Sequence, residues 1–465
     1  MPLMYKARSR GRYFITHGFV LACILLAWCP SAFALNPALD VSQYAHTSWK
    51  IREGFSKSVI RSIAQTSDGY LWLGTESGLL RFDGIRAVAW QPPTDQSLPS
   101  SQIWSLLASR DGTLWIGTSK GLASWKDGKL TAYTELADKY IFKLLEDREG
   151  AVWAGGMGVP TGRLCVIRDG RVQCYGEDGA LGRGVIDLYE DSKGDLWAGV
   201  ENGLWRWKPD PPKFYPLPGE PDGIHGLGED ADGALLIGMH GGIQRFVDGK
   251  TEAHSMSGAV RRFDARSLLR DRDGSLWIGT SDRGLVHEHQ GRTDLFAQSD
   301  GLSGQYVFAL FEDREGNLWV ATKDGLDRFR NFAVARFTVN QGLLNDTIES
   351  VLADRDGSVW LATDGGLHRW NNGQITIPRT GSGKPDGKLN GLNPDSLFQD
   401  DRGRIWVSTL RGVGYLDNDR LISISGVPGG VVLSIVEDTV GNLWIANQDH
   451  GLFQLTPGRE VQQIP

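Results

Sequence analysis

Ten copies of one short pattern divide most of this chain into similar units. Each copy runs from an acidic turn with a glycine, through a strand centred on tryptophan, to a Gly-Leu pair, as in residues 67–79. The strand anchors are Trp72, Trp115, Trp153, Trp197, Leu236, Trp277, Trp319, Trp360, Trp406 and Trp444. A Gly- and Trp-rich pattern with a period of about 40 residues indicates one supersecondary unit that is repeated in space.

One repeat predicts four short strands separated by turns. In residues 60–90, strand-forming runs begin at Ile60, Leu71, Leu79 and Ile85, and turns that contain Asp or Gly lie between them. Four short antiparallel strands per repeat are typical of one blade of a β-propeller. The sequence therefore predicts an all-β fold, a β-propeller with ten four-stranded blades.

Ten blades exceed the number that one propeller ring usually contains, which is about four to eight. We therefore predict one seven-bladed propeller at residues 35–335 and three further blades of an incomplete second propeller at residues 336–465. Because an incomplete ring exposes a sheet edge and an apolar blade face, self-association is expected.

The first 34 residues do not belong to the repeats. Four basic residues between positions 6 and 12 precede an apolar run at 18–28 and the sequence Ala32-Phe33-Ala34. This order predicts a signal peptide that is removed after Ala34, and a lipoprotein signal or an uncleaved anchor is the alternative. Its removal takes the formal charge from −7 to −11, because the segment holds four positive and no negative charges. An acidic, exported chain, periplasmic or secreted, is not expected to bind nucleic acid or to span a membrane.

Two cysteines remain after the predicted cleavage, and they flank a turn. Cys165 and Cys174 lie at equal distances from Asp169-Gly170, and Asp-Gly is a strong signal for a two-residue hairpin loop. In such a hairpin the two cysteines face each other at a non-hydrogen-bonded pair, where the Cα atoms approach to about 4.5 Å. In an oxidising compartment we predict a disulfide rather than two buried thiols.

The repeat resembles the two-component regulator propeller repeat, which runs from an Asp-x-x-Gly turn through Leu-Trp-Ile-Gly-Thr to Gly-Leu. The match is clear in Asp271-Arg272-Asp273-Gly274-Ser275-Leu276-Trp277-Ile278-Gly279-Thr280 and in residues 111–118, and residues 49–55 resemble the usual lead-in. The resemblance covers about residues 45–456. It implies the periplasmic sensor region of a receptor, which in relatives precedes a membrane helix and a histidine kinase or diguanylate cyclase.

The resemblance implies a non-catalytic, extracytoplasmic ligand-sensing module of a two-component or cyclic-dinucleotide signalling receptor. No kinase or cyclase pattern follows the repeats, so we expect the output domain to be missing from this chain. The implied ligand is an oligosaccharide or another small molecule, and no cofactor is expected. The alternatives are a propeller lyase of the streptogramin-lyase type, which uses histidine with a divalent metal, and a protein-binding propeller.

One column of the repeat varies in chemistry while its neighbours stay apolar. It lies eight residues before the turn glycine and holds Arg61, Trp104, Phe142, Ile186, His225, Arg266, Phe308, Glu349, Asp395 and Leu433. One varied residue per blade at one height can line the mouth of a propeller. We predict that the ligand-binding residues are Arg61, Trp104, Phe142, His225, Arg266, Phe308 and Glu349, and the alternative is a tolerant position at a loop edge.

Two patterns suggest metal ligands, and a simpler interpretation is preferred for both. Segments such as 271–274 lack the further oxygen ligands and the distal Glu of a calcium loop, so they predict turns. His287-Glu288-His289 places two imidazoles on one face of a strand, but no third ligand is evident, so we expect a solvated strand face. We find no pattern for a nucleophile or a paired-carboxylate site, and we predict no catalytic residues and no metal.

Overall fold

The computed structural model describes residues 35–37, 39–158, 161–209, 211–217, 223–257, 262–331, 337–371, 374–377, 393–417, 420–458 and 460–465. The predicted signal peptide lies outside these residues. Contacts divide the chain into two units: unit 1 holds Tyr44–Asn331 and the segment that ends at Pro37, and unit 2 holds Ala38–Gln43 and Phe332–Pro465. Within the described ranges, no helix is long and apolar enough to cross a membrane.

The described residues form ten four-stranded antiparallel sheets, which confirms the predicted propeller class. In unit 1 the strands are β1 (Ala45–Lys50), β2 (Ile60–Gln65), β3 (Leu71–Thr75), β4 (Gly78–Phe82), β5 (Ala87–Ala89), β6 (Ile103–Ala108), β7 (Leu114–Thr118), β8 (Gly121–Lys126), β9 (Lys129–Tyr133), β10 (Tyr140–Glu146), β11 (Val152–Met157), β12 (Arg163–Arg168), β13 (Arg171–Tyr175), β14 (Val185–Glu190), β15 (Leu196–Val200), β16 (Gly203–Lys208), β17 (Lys213–Pro216), β18 (Gly226–Glu229), β19 (Leu235–Met239), β20 (Gly242–Val247), β21 (Lys250–Ala253), β22 (Ala265–Arg270), β23 (Leu276–Thr280), β24 (Leu285–His289), β25 (Arg292–Phe296), β26 (Val307–Glu312), β27 (Leu318–Thr322) and β28 (Gly325–Arg330).

In unit 2 the strands are β29 (Ile348–Ala353), β30 (Val359–Thr363), β31 (Gly366–Asn371), β32 (Gln374–Thr376), β33 (Pro394–Gln399), β34 (Ile405–Thr409), β35 (Gly412–Asp417), β36 (Arg420–Ser423), β37 (Val432–Glu437), β38 (Leu443–Asn447), β39 (Gly451–Leu455) and β40 (Val461–Ile464). Single turns of 3-10 helix occur at Val41–Gln43, Ile51–Glu53, Thr134–Leu136, Gln298–Asp300 and Val339–Gln341.

The seven sheets of unit 1 form a closed circle of neighbours. Each of the first six sheets consists of four consecutive strands, starting with β2–β5, and the seventh combines β26–β28 with β1. We call β2, β6, β10, β14, β18, β22 and β26 the leading strands. Each packs beside the next, and β26 packs beside β2.

Strand β1 is the fourth strand of the seventh sheet. The count of repeats did not reveal this pairing. The strand pairs antiparallel with β28, so that Ala45 lies opposite Arg330 and Lys50 opposite Gly325. On β1, Trp49 stacks on Trp319 with ring centroids 5.6 Å apart. The seventh repeat therefore supplies three strands, and the segment before the first repeat supplies the fourth. The contacts divide the chain after Asn331, and the predicted boundary at residue 335 lies outside the described residues.

A hydrogen bond links the acidic turn to the Trp strand in most sheets. In seven sheets of the described chain, the indole Nε1 of the anchor donates to the carboxylate of an Asp six residues earlier, over 2.7–3.0 Å. The pairs are Asp147–Trp153, Asp191–Trp197, Asp271–Trp277, Asp313–Trp319, Asp354–Trp360, Asp400–Trp406 and Asp438–Trp444. Backbone amides of the turn donate to the other oxygen, as Ser275 does to Asp271 over 2.8 Å. These carboxylates therefore serve the turn, as predicted.

The fifth sheet shows what happens when the indole is lost. Leu236 occupies the anchor position there, so Asp230 has no indole donor from its own strand pair. Its carboxylate instead lies 3.2 Å from Nε of Arg245 and 3.2 Å from Nη2 of Arg270. Two arginine side chains therefore take the place of the indole N–H, and they neutralise the charge of the Asp230 carboxylate.

The cysteine hairpin forms as predicted between β12 and β13. Asp169 and Gly170 have φ of 50° and 73°, the left-handed values that a two-residue hairpin loop needs. Cys165 lies opposite Cys174 with Cα atoms 4.0 Å apart, and the two are disulfide-bonded.

Alkylation before and after reduction tests this bond in the exported protein. The folded, oxidised protein should accept no alkyl group on cysteine, and reduction should expose two reactive thiols in intact-mass spectra. Because the bond closes a short loop, its loss should cost about 2–3 kcal/mol of stability. Two alkylated cysteines before reduction would contradict the assignment.

Unit 2 is a row of three sheets with apolar faces exposed at its ends. Leading strand β29 packs beside β33, and β33 packs beside β37. Val351 on β29 is 61% exposed, whereas its counterpart Ile63 in unit 1 is buried. At the other end of the row, on the leading strand β37 of the last sheet, Val436 is 51% exposed, whereas its counterpart Ala64 is buried. The described residues of unit 2 thus leave open, at each end, a face that unit 1 buries between sheets.

Candidate functional site

The varied column owes its position to a β-bulge at the start of the leading strands. In β2, Ile60 pairs with Thr75 and Ser62 with Gly74, so that Arg61 is the extra, unpaired residue. The same register shift leaves these column residues unpaired: Trp104, Phe142, Ile186, Arg266, Phe308, Glu349 and Leu433. A bulge re-aims a side chain and frees it from the pairing that fixes its neighbours. This explains why chemistry varies at this position alone.

The bulges of unit 1 converge on one cavity of about 290 Å³. Its lining includes the predicted residues Arg61, Trp104, Phe142, His225, Arg266 and Phe308, together with Ile186. Glu349 occupies the equivalent bulge on β29 in unit 2 and is not among these lining residues, so its role stays a separate prediction. Sequence reasoning missed Lys143, Asp187 and Tyr306, which also line the cavity. Of these three residues, Tyr306 was the one that the sequence could have indicated, because it is an aromatic residue two positions before the column residue Phe308.

One wall of the cavity is built from stacked aromatic rings and a guanidinium group. The Arg61 guanidinium lies 4.2 Å from the ring centroid of Trp104 and 4.7 Å from that of Phe308. Trp104 stacks on Phe142 at 5.4 Å. Arg61 Nε also donates to Glu76 over 3.0 Å, so its charge is neutralised within the protein. This wall offers flat, polarizable surface rather than net charge.

The part of the lining beside this wall carries a positive charge, because Tyr306, next to Arg266, contacts Phe308 with ring centroids 4.5 Å apart. Arg266 Nη1 lies 3.1 Å from Nδ1 of His225, and its guanidinium lies 5.7 Å from the ring of Tyr306. Among the described residues, Arg266 makes no ion pair with a carboxylate, and its buried Nε has no hydrogen-bond partner. By contrast, Lys143 pairs with Asp187 over 2.6 Å. Arg266 therefore gives the cavity a cation that the described protein groups do not neutralise.

The cavity also presents a second buried donor. The indole Nε1 of Trp104 has no hydrogen-bond partner within the described part of the chain. The hydroxyls of Ser62 and Ser267, which also line the cavity, are likewise without a partner among the described residues. Buried polar groups are nearly always paired in native proteins, so these groups mark a place where a ligand or ordered water completes the hydrogen bonding.

Family comparison agrees with the repeats found in the sequence. Five segments match the two component regulator propeller family: residues 54–77, 97–120, 264–282, 301–324 and 342–365. The chain carries two-component regulator propeller repeats. No curated protein matches the sequence.

Solved structures share the fold of these regulator propeller repeats. The extracellular domain of the hybrid two component system BT3049 from B. thetaiotaomicron is 19% identical with a TM-score of 0.51, and the match covers 91% of this chain and 67% of that domain. The corresponding domain of BT4673 is also 19% identical with a TM-score of 0.51, covering 88% and 65%. The chain thus spans about two thirds of their length. Virginiamycin B lyase from Staphylococcus aureus is 15% identical with a TM-score of 0.51, covering 62% of this chain and all of that one.

The mouth of the regulator propeller does not show the group that a lyase of this type would need. We expected such an enzyme to bring two histidines and a carboxylate together there. The described lining residues include one histidine, His225, and one carboxylate, Asp187, which pairs with Lys143.

The prediction of a solvated His287-Glu288-His289 face is wrong. His287 is completely buried and His289 is 3% exposed, and their rings stack at 4.2 Å with an interplanar angle of 8°. Burial lowers the pKa of the His287 imidazole, so this ring stays neutral at physiological pH. Asp294 on β25 faces the pair and supplies the third polar group that the sequence did not reveal.

Proposed function

We propose that this protein is an extracytoplasmic sensing module of a two-component or cyclic-dinucleotide signalling receptor, which binds a small anionic ligand in the unit 1 cavity without chemical conversion. The observation that carries the proposal is the cation of Arg266, which no described carboxylate neutralises, beside a wall of stacked aromatic rings. The regulator propeller repeats and the fold shared with extracellular domains of hybrid two component systems support it. The disulfide is consistent with a periplasmic or secreted location.

The lining suggests a ligand with a flat apolar face and a carboxylate. Guanidinium groups bind carboxylates through charge-assisted hydrogen bonds, and aromatic rings pack against the C–H face of a sugar or another ring. A cavity near the lower end of the range for small-molecule sites, about 300–1,000 Å³, suits one or two sugar units rather than a long chain. We therefore propose an acidic saccharide end or a similarly sized organic acid.

Binding of such a ligand would act on signalling by a shift of populations. A ligand changes a receptor only through its different affinities for two arrangements of that receptor. All ten sheets of the described residues belong to propeller repeats. We therefore assign no kinase or cyclase activity to these residues.

Calorimetric titration with a uronic-acid-terminated disaccharide and a neutral disaccharide of equal size tests the proposal. The native protein should bind the acidic sugar and bind the neutral one much more weakly. Arg266→Gln should weaken binding of the acidic sugar roughly 10- to 100-fold, because hydrogen bonds to charged groups contribute about 1.5–3 kcal/mol. Arg283→Gln is a matched control, since this arginine of the same sheet is exposed, pairs with Asp282 and does not line the cavity.

Two results would count against this proposal. One is equal affinity of the native protein for the acidic and the neutral sugar. The other is an Arg266→Gln protein that binds as tightly as the native protein and the Arg283→Gln control.

A further inference from the structure

The sixth sheet holds a buried group of two imidazoles and a carboxylate that the proposed binding function does not use. His287 and His289 lie on one face of β24, and Asp294 on β25 lies directly opposite His287 in the strand register. One ligand atom from each of the three residues lies within 4.8 Å of the others. The group lies on the third and fourth strands of its sheet, whereas the cavity is lined mainly by leading strands.

The two spacings to Asp294 are close to that between neighbouring ligands of a tetrahedral metal site. Oδ1 of Asp294 lies 3.0 Å from Nε2 of His289 and 3.3 Å from Nδ1 of His287. Zinc binds imidazole nitrogen and carboxylate oxygen at about 2.0–2.2 Å, which places neighbouring tetrahedral ligands roughly 3.3 Å apart. We propose that His287 Nδ1, His289 Nε2 and Asp294 Oδ1 bind one Zn²⁺ ion.

The surroundings orient the two imidazoles for this role. His289 Nδ1 lies 2.8 Å from the carbonyl oxygen of Pro37, and a carbonyl only accepts, so Nδ1 carries the proton. In the neutral imidazole this leaves the lone pair on Nε2, which lies 3.0 Å from Asp294 Oδ1 and is free to bind a metal ion. A metal-bound histidine typically donates its second N–H to a carbonyl or carboxylate in this way.

Packing rather than hydrogen bonding holds His287 in place. Its ring stacks on Trp277 with centroids 3.8 Å apart and meets the ring of Tyr44 edge-on at 6.0 Å. Within the described residues neither ring nitrogen has a partner in hydrogen-bond geometry. A purely hydrogen-bonded His–Asp–His cluster would leave this buried imidazole unsatisfied, whereas a metal ion would use its Nδ1 lone pair.

Both imidazoles are buried and Asp294 is partly exposed, so we expect a structural ion whose fourth ligand is a water on the side of Asp294. The segment that follows the predicted cleavage site lies beside the group, since Leu35 is buried with its backbone N donating to Asp273 over 2.9 Å, and Pro37 accepts from His289. Zinc at this position would therefore hold the β24–β25 hairpin and, through His289, the start of the mature chain.

Zinc titration of the chelator-treated mature chain, residues 35–465, tests the site. We expect one Zn²⁺ per chain by calorimetry, a raised thermal midpoint in zinc, and the strong visible absorption of tetrahedral Co²⁺ when cobalt is used. Asp294→Asn keeps the size of the side chain and its contact with His289 but removes the anionic ligand. It should weaken zinc binding at least 10-fold and abolish the cobalt spectrum. His240→Gln, which alters an exposed histidine, should change neither.

A native chain that binds no zinc would overturn the proposal without any variant. So would an Asp294→Asn chain that binds zinc as tightly as the native chain. If Asp294→Asn does not fold, as judged by circular dichroism, His289→Gln decides by the same two readouts, with retained zinc affinity again overturning the site.

Discussion

Replacing Trp277 by alanine should destabilise unit 1 by about 3–5 kcal/mol, the loss that follows removal of a large buried aromatic side chain. Trp277 is completely buried, stacks on His287 at 3.8 Å and donates from Nε1 to Asp271 over 2.7 Å. Alanine would leave a cavity and also a buried carboxylate without its indole donor. Burial already raises the pKa of Asp271, so the loss of this hydrogen bond adds to the cost.

Urea unfolding followed by circular dichroism measures the effect, and two variants separate its causes. Trp277→Phe keeps most of the volume but removes the N–H, so it should cost about 1–3 kcal/mol. Val88→Ala, at a side chain that is exposed on the outer strand β5, should cost little. A loss below about 1 kcal/mol for Trp277→Ala would show that this residue is not a core element between sheets.

The parts of the fold that the sequence predicted depend on local chemistry. The acidic turn was predicted from its Asp and Gly residues, and the structure adds a hydrogen bond, within the same hairpin, from the anchor indole to the Asp six residues earlier. The disulfide also lies within one hairpin, where Asp169-Gly170 sets the register. Short-range geometry of this kind can be derived from residue types and spacing.

The parts that the sequence did not predict depend on contacts between distant segments. Strand β1 finds β28 far along the chain, and residues 45–50 carry no local pattern that names this partner. The burial of His287 and His289 depends on Pro37 and Tyr44, and Pro37 precedes His289 by 252 residues. The sequence of β24 by itself therefore predicted a solvated face for these two histidines.

The candidate site lies between these two cases. The varied column was visible from the repeat alignment, but its cause was not, because a bulge is defined by pairing with the next strand. The repeat count already placed Glu349 in the second propeller, apart from the other six predicted residues, and in the structure it belongs to unit 2. Lys143 and Asp187 were missed because each lies one position after the varied column, directly behind a bulged residue. Only the structure shows that both also line the cavity.

A chain of residues 35–335 should fold without the rest of the protein. Among the described residues of unit 1, each leading strand has another leading strand on both sides and β1 completes the seventh sheet, so the ring is closed by strands between residues 45 and 330. A chain of residues 35–465 should self-associate, because unit 2 exposes apolar side chains at both ends of its row, among them Val351, Leu433 and Val436.

Sedimentation velocity of these two chains, over a range of concentrations, is the most direct test that unit 1 is a complete ring. We predict a compact monomer for residues 35–335 and concentration-dependent association for residues 35–465. An aggregating 35–335 chain beside a compact, monomeric 35–465 chain would contradict this account and would require a single ring that includes the sheets of unit 2.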